Sequence, residues 1–209
     1  MQFMHDPAAI EARSMALIEE LVKDLAFGPE EKAIVKRVIH ASGDPEYGEL
    51  VSFHPESVAR GLAALQRGAP IFTDVQMVAA GINKKAAGRL GCTVHCAIGE
   101  DAVAGLARRE GITRAMAAFR RWGQGLQDSL VVIGNAPTAL FEVLRLHREE
   151  GITPALVVGV PVGFVGAAEA KEALRQSSLP YITVVGRKGG SPIAASIVNS
   201  LLYLLQPER

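Results

Sequence analysis

A surplus of charge of either sign is missing from this chain: 22 Lys and Arg stand against 22 Asp and Glu. Nucleic-acid-binding proteins ordinarily carry a basic excess, so that class is disfavoured. Any anionic ligand must be met by locally placed cations, because the field of the whole molecule is near zero. Cysteine is scarce. Cys92 and Cys96 are the two present, which is no disulfide framework. Long apolar runs are missing too. The longest tract, residues 193–205, is broken by Ser196, Asn199 and Ser200 and is too short to span a bilayer. Residues 1–7 lack a basic region followed by an apolar run, so no signal peptide is expected. These absences lead to the expectation of a cytoplasmic protein with neither a membrane nor a nucleic acid as partner. Repeats, low-complexity tracts and linkers are lacking, and 209 residues suit one domain.

Familiar chemical signatures are lacking as well. No Gly-x-Ser-x-Gly, His-Glu-x-x-His or paired-carboxylate motif occurs. Neither a Walker A sequence nor Gly-x-Gly-x-x-Gly after a strand is found, so a nucleotide cofactor finds little support.

What is present is apolar: 49% of residues are hydrophobic and 21% charged, enough for a large core. The first 68 residues read as helical. Ile10, Ser14, Leu17, Ile18, Leu21, Val22 and Leu25 recur at helical spacing until Gly28-Pro29. Pro29-Glu30-Glu31 opens a second helix, with proline and acids in its first turn; it carries Ile34, Val35, Val38 and Ile39 and ends after His40. A third covers 55–66. From 69 onward, short apolar runs alternate with helical stretches. The runs are Ile71-Phe72, Cys92-Thr93-Val94, Leu130 to Ile133, Leu156 to Val158 and Tyr181 to Val185; the helices are 75–80, 101–122 (broken at Gly111), 137–150, 167–176 and 191–205. This alternation predicts an open parallel α/β sheet of about five strands. Continuous apolar strands fit a sheet buried on both faces.

Small and polar residues follow each strand: Thr73-Asp74, His95-Cys96, Gly134 to Thr138, Gly159 to Gly163 and Gly186 to Ser191. Ligands of open parallel sheets sit outside the carboxyl ends of the strands, where backbone amides and helix N-termini can receive anions. The competing reading is that glycine merely permits tight turns. Gly186-Arg187-Lys188-Gly189-Gly190-Ser191 is open to both: an anion site or a plain turn. Arg37 and His40 lie three residues apart on one helix face, just before Gly43 and Pro45 break it. A permanent cation beside a residue type that titrates near neutrality suits an acidic ligand that exchanges a proton; a helix C-terminus decorated with basic residues is the alternative. Arg114 follows the cap Thr113 in a first turn, where a cation opposes the dipole; a ligand role or simple exposure accounts for it. Cys92, His95 and Cys96 fall within five residues, but strand alternation sends His95 to the side opposite the cysteines, so buried free thiols are expected and no metal.

Taken in order, six blocks resemble the precorrin-8X methylmutase family of cobalamin biosynthesis: Arg37-Val38-Ile39-His40 with Gly43-Asp44, Ala69 to Val75 with Met77, Gly111 to Ala115, Gly134 to Leu140, Gly159 to Phe164, and Gly186 to Ser191. The resemblance implies a three-layer α/β/α flavodoxin-like fold with extra N-terminal helices, forming one domain over 1–209. It implies a homodimer without a cofactor, and an isomerase that moves a methyl group from C11 to C12 of a corrinoid macrocycle to give hydrogenobyrinate or its cobalt form. The family's proton-handling histidine falls on His40, and its substrate contacts on Ser14 and Arg37. The matching blocks add Thr73, Met77, Arg114, Asn135, Gly163, Arg187 and Lys188 as substrate-binding candidates. Two other classes stand beside the enzyme: a non-catalytic tetrapyrrole carrier that hands product to other corrin-pathway enzymes, and a nucleotide- or metal-sensing module built on 187–191 or 92–96.

Overall fold

The computed structural model describes residues 5–206; Met1 to Met4, part of the segment without a leader signature, and residues 207–209 lie outside them. In chain order the elements are α1 (Pro7–Val22), α2 (Pro29–Ser42), α3 (Tyr47–Leu50), β1 (Val51–Phe53), α4 (Ser57–Gln66), β2 (Ile71–Thr73), α5 (Gln76–Gly81), α6 (Lys84–Arg89), β3 (Val94–His95), α7 (Asp101–Glu110), α8 (Arg114–Trp122), β4 (Leu130–Ile133), α9 (Pro137–Glu150), β5 (Leu156–Gly159), α10 (Ala167–Arg175), β6 (Tyr181–Val184) and α11 (Ser191–Leu204).

Six strands form one sheet in the order β1-β6-β5-β4-β2-β3. Five are parallel, and their order matches the flavodoxin-like arrangement with its crevice between β2 and β4. The sixth strand corrects the expectation of about five. β1 runs antiparallel to β6, with Val51, Ser52 and Phe53 facing Val184, Thr183 and Ile182. The sheet therefore takes one strand from the residues before 69. The third apolar run is also shifted. Only Val94 and His95 pair as strand, while Cys92 is buried and its amide closes the end of α6 on the Ala87 carbonyl. The alternation argument over Cys92 to Cys96 thus loses its basis, since too little of the segment is strand. Among the described residues no cluster of three metal-ligating side chains forms.

β4, β5 and β6 are buried at every position. Each strand is apolar on both faces because helices cover both. Ile34, Val38, Leu65 and Val198 belong to the core on one side; Leu140, Val143 and Leu174 belong to the other. Fully burying one such side chain contributes roughly 1.5–3 kcal/mol, so the three-layer stack, rather than helix propensity, fixes the architecture. On the second side, the buried Glu142 of α9 accepts paired bonds from Arg120 of α8 at 2.8 Å and further bonds from Arg145. That network sets α8 against α9.

α2 begins at Pro29 with Glu31 accepting from the Gly28 amide at 2.9 Å. It runs two residues past His40 and stops at Gly43, whose left-handed φ of 67° lets its amide reach the Ile39 carbonyl. Leu25 lies beyond the end of α1 and packs against the core. Ile10, Leu17 and Leu21 leave an exposed apolar stripe along α1.

Candidate functional site

The carboxyl ends of β2, β4, β5 and β6 share one rim, and the last turn of α2 meets it. Three contacts seat α2 there. Lys188, in the β6–α11 loop, donates to Asp44 and, at 2.7 Å, to Glu46. The same ammonium lies 5.8 Å from the Tyr47 ring. Tyr47 donates to the Gly189 carbonyl. The Lys188 partners hold its amine well above the ordinary lysine range, and its bond holds the Asp44 carboxyl below the carboxylate range. His40 is exposed just beneath this junction. Lys188, expected to bind substrate, is therefore engaged by two carboxylates of its own chain.

The β4–α9 loop also differs from the expectation of an open floor of amides. Asp74, fully buried at the end of β2, accepts the amides of Gly134 (3.1 Å), Asn135 (2.8 Å) and Ala136 (2.7 Å). Burial pushes its carboxyl up, and the three amides pull the other way. The nest at the switch point is thus filled by the protein's own carboxylate. Thr73 is also buried, its hydroxyl donating to the His95 carbonyl. Asn135 and Met77 are exposed beside the crevice.

On the β5–α10 loop the Gly163 amide donates to the Arg187 carbonyl at 3.2 Å. Phe164 and Val165 are 86% and 90% exposed, and the Arg187 guanidinium sits 5.7 Å from the Phe164 ring. An apolar, aromatic rim with an exposed arginine can receive a flat ligand face and an acidic arm together. Sequence reasoning overlooked Phe164 as a surface group, although an aromatic between two glycines in a strand-end loop is a readable sign.

Arg114 sits at the start of α8, whose cap Thr113 shares a hydrogen bond with Thr138 of α9 at 2.9 Å. This places Arg114 near the rim on the flank opposite α2. It lines a hollow of about 310 Å³ with Arg108, at the low end for an enclosed ligand pocket. Ser14 and Arg37 lie elsewhere. Arg37 is held by Glu11 at 2.9 Å and lies over Tyr203, in a cleft of about 220 Å³ between α1, α2 and α11. A tetrapyrrole fits neither hollow, so the open rim is the surface wide enough for it.

The chain was compared with known proteins. The family model for precorrin-8X methylmutase matches residues 9–204. A cobalt-precorrin-8 methylmutase of Leptospira interrogans is 43% identical, covering 93% of this chain and 92% of that protein. A precorrin-8X methylmutase of Pseudomonas aeruginosa is 41% identical over 96% and 97% of the two chains. The crystal structure of a precorrin-8x methyl mutase from Thermus thermophilus superposes with a TM-score of 0.87 at 36% identity, covering 94% and 96%.

Proposed function

The chain belongs to the precorrin-8X methylmutase family, and from that premise we propose the step it performs and the residues that perform it. It is an isomerase of cobalamin biosynthesis. The substrate is precorrin-8X or its cobalt form, and one methyl group moves from C11 to C12 of ring C. No atom is gained or lost. The methyl leaves one ring carbon with its bonding pair and joins the next while the conjugated π-system reorganises. His40 places a proton on the pyrrolic part of the macrocycle, which favours migration, and recovers it afterwards. Acid catalysis of this kind supplies about 10²–10⁴-fold. Binding of one tautomer and exclusion of water supply the rest.

The observation that carries this reading is His40, exposed at the end of a helix pinned to the strand-end rim by Lys188, Asp44 and Tyr47. The macrocycle lies across that rim against Phe164, Met77 and Asn135, with Gly163 giving its loop the turn it needs. Arg187 and Arg114 receive carboxylate arms from the two flanks. Lys188 and Thr73 shape the rim from behind.

Ser14 and Arg37 face a cleft of their own, and the apolar stripe of α1 adjoins them. A homodimer that covers this stripe and closes the open rim with the partner chain would bring further groups to the ligand, an isologous two-fold being the commonest solution.

The test is turnover by the purified protein with metal-free and cobalt-containing substrate, read from the change in absorption spectrum. His40→Ala should lose at least about 100-fold in kcat while keeping product affinity. Near-normal turnover would overturn the role of His40; spectral inertness of the wild type with both substrates, despite binding, would leave a carrier.

A further inference from the structure

Lys171 lies on α10, a helix assigned no part in the reaction, and is 1% exposed. Its amine donates to the carbonyl of Lys188 at 2.5 Å. A buried lysine is costly unless something requires it, since desolvation opposes its charge. A methionine of similar length would fill the space without that cost. The bond's target is also telling. Lys188 follows Arg187, and every neighbouring peptide of this loop is held by a different element. The Arg187 carbonyl accepts from Gly163. The Gly189 carbonyl accepts from Tyr47. The Gly190 amide donates to the Val160 carbonyl at 2.8 Å. The Lys188 carbonyl has Lys171.

We propose that Lys171 is a positioning residue for the isomerisation, fixing the β6–α11 loop through the Lys188 carbonyl so that Arg187 stands beside Phe164 and takes a substrate carboxylate. The loop is gripped at consecutive residues from both sides of the sheet. Lys171 holds it from the α10 side, and Asp44, Glu46 and Tyr47 hold it from the side of His40. Remote groups of this kind act by fixing where a charged anchor stands, and an error of about 1 Å is costly. Burial pushes the Lys171 amine down to about 8, and both its protonated and neutral forms donate, so the grip does not depend on its charge.

This inference rests on the methylmutase reading, and the experiment separates the two. Lys171→Met removes the donor while keeping the bulk; Lys171→Gln keeps a shorter donor. Both would be compared with the wild-type protein in steady-state turnover and, without substrate, in hydrogen exchange at the Gly163 and Gly190 amides. Lys171→Met should raise KM about 5–20-fold with kcat within about threefold. Its loop amides should exchange at least about tenfold faster while the β4 and β5 amides keep wild-type protection. Lys171→Gln should fall between it and the wild type in both readouts. A folded Lys171→Met protein with wild-type KM, or with a loss confined to kcat, overturns the proposal. So does failure of both variants to fold, which would make Lys171 a core residue only. Wild-type protein inert toward both substrates would instead strike the methylmutase reading, with loop exchange still reporting whether Lys171 holds the loop.

Discussion

Replacing Asp74 by asparagine should be among the most damaging single-atom changes available to this chain. Oδ2 accepts two amides, from Asn135 and Ala136, and Oδ1 accepts a third, from the buried Gly134. Asparagine has one acceptor oxygen. Placed at the Oδ2 position it keeps two bonds, each weakened by about 1 kcal/mol when the charge is lost, and turns its NH2 toward the Gly134 amide. A buried N–H without a partner costs about 1–3 kcal/mol. Against this, removing a buried charge recovers part of its desolvation, the effect that pushes the Asp74 carboxyl up. The hydrogen bonds win because three converge on one group, and the net loss should be about 2–4 kcal/mol. At 2–4 °C per kcal/mol for a chain of this size, Tm should fall by about 4–16 °C. Urea unfolding followed by circular dichroism, together with Trp122 fluorescence, gives the number directly, since Trp122 packs 4.7 Å from Phe72 on the strand that ends at Asp74. An Asp74→Asn protein within about 0.5 kcal/mol of wild type would refute the reasoning and mean that water serves those amides equally well.

Glu142 should give the protein an acid-sensitive joint. Burial opposes its charge, but Arg120 and Arg145 outweigh burial and lower its carboxyl below the ordinary value. Its contribution is therefore present above about pH 4.5 and lost as pH falls through the depressed value. Glu142→Gln should cost about 2 kcal/mol at pH 7, less than a fully buried pair because both arginines are over a quarter exposed, and should flatten the fall of Tm below pH 5; an unchanged acid profile would count against it. Gly189→Ala should cost about 3 kcal/mol or more, because φ is 149° and a Cβ would strike the Val160 carbonyl oxygen; normal stability by urea unfolding would contradict this. Light scattering at low micromolar concentration should give twice 22.2 kDa, and Leu17→Glu with Leu21→Glu should shift it toward the monomer; a fully active wild-type monomer would exclude a shared site.

Much of the α/β core was legible because its strands are buried on both faces. Leu130 to Ile133 and Leu156 to Val158 are unbroken apolar runs, and nothing but a covered parallel strand accommodates them in so few residues. β1 was not legible. Three residues with a serine at the centre carry no period, and their strand character comes from pairing with β6 more than a hundred residues away. α6 escaped because its short span begins with two lysines and buries only two alanines. The same distance effect governs the site. His40 and Arg187 could be placed at helix and strand ends by local pattern. The engagement of Lys188 by Asp44 and Glu46 spans more than 140 residues, and a cation read without its distant partners looks free. Asp74 was visible as a polar residue after a strand, but which amides it would take depends on the β2–β4 adjacency created by the switch in strand order.

The two margins of the sheet have a consequence for how the protein survives in a crowded solution. β1 offers three residues and β3 two. Strand edges are templates on which other chains can add, and danger grows with their length. Here the long, apolar, aggregation-prone strands β4, β5 and β6 are all interior, and each outer border is too brief to recruit a foreign strand. A molecule so protected at its borders can leave Phe164 and Val165 bare at the strand ends without seeding fibrils, because sticky side chains and unpaired backbone are kept on different surfaces.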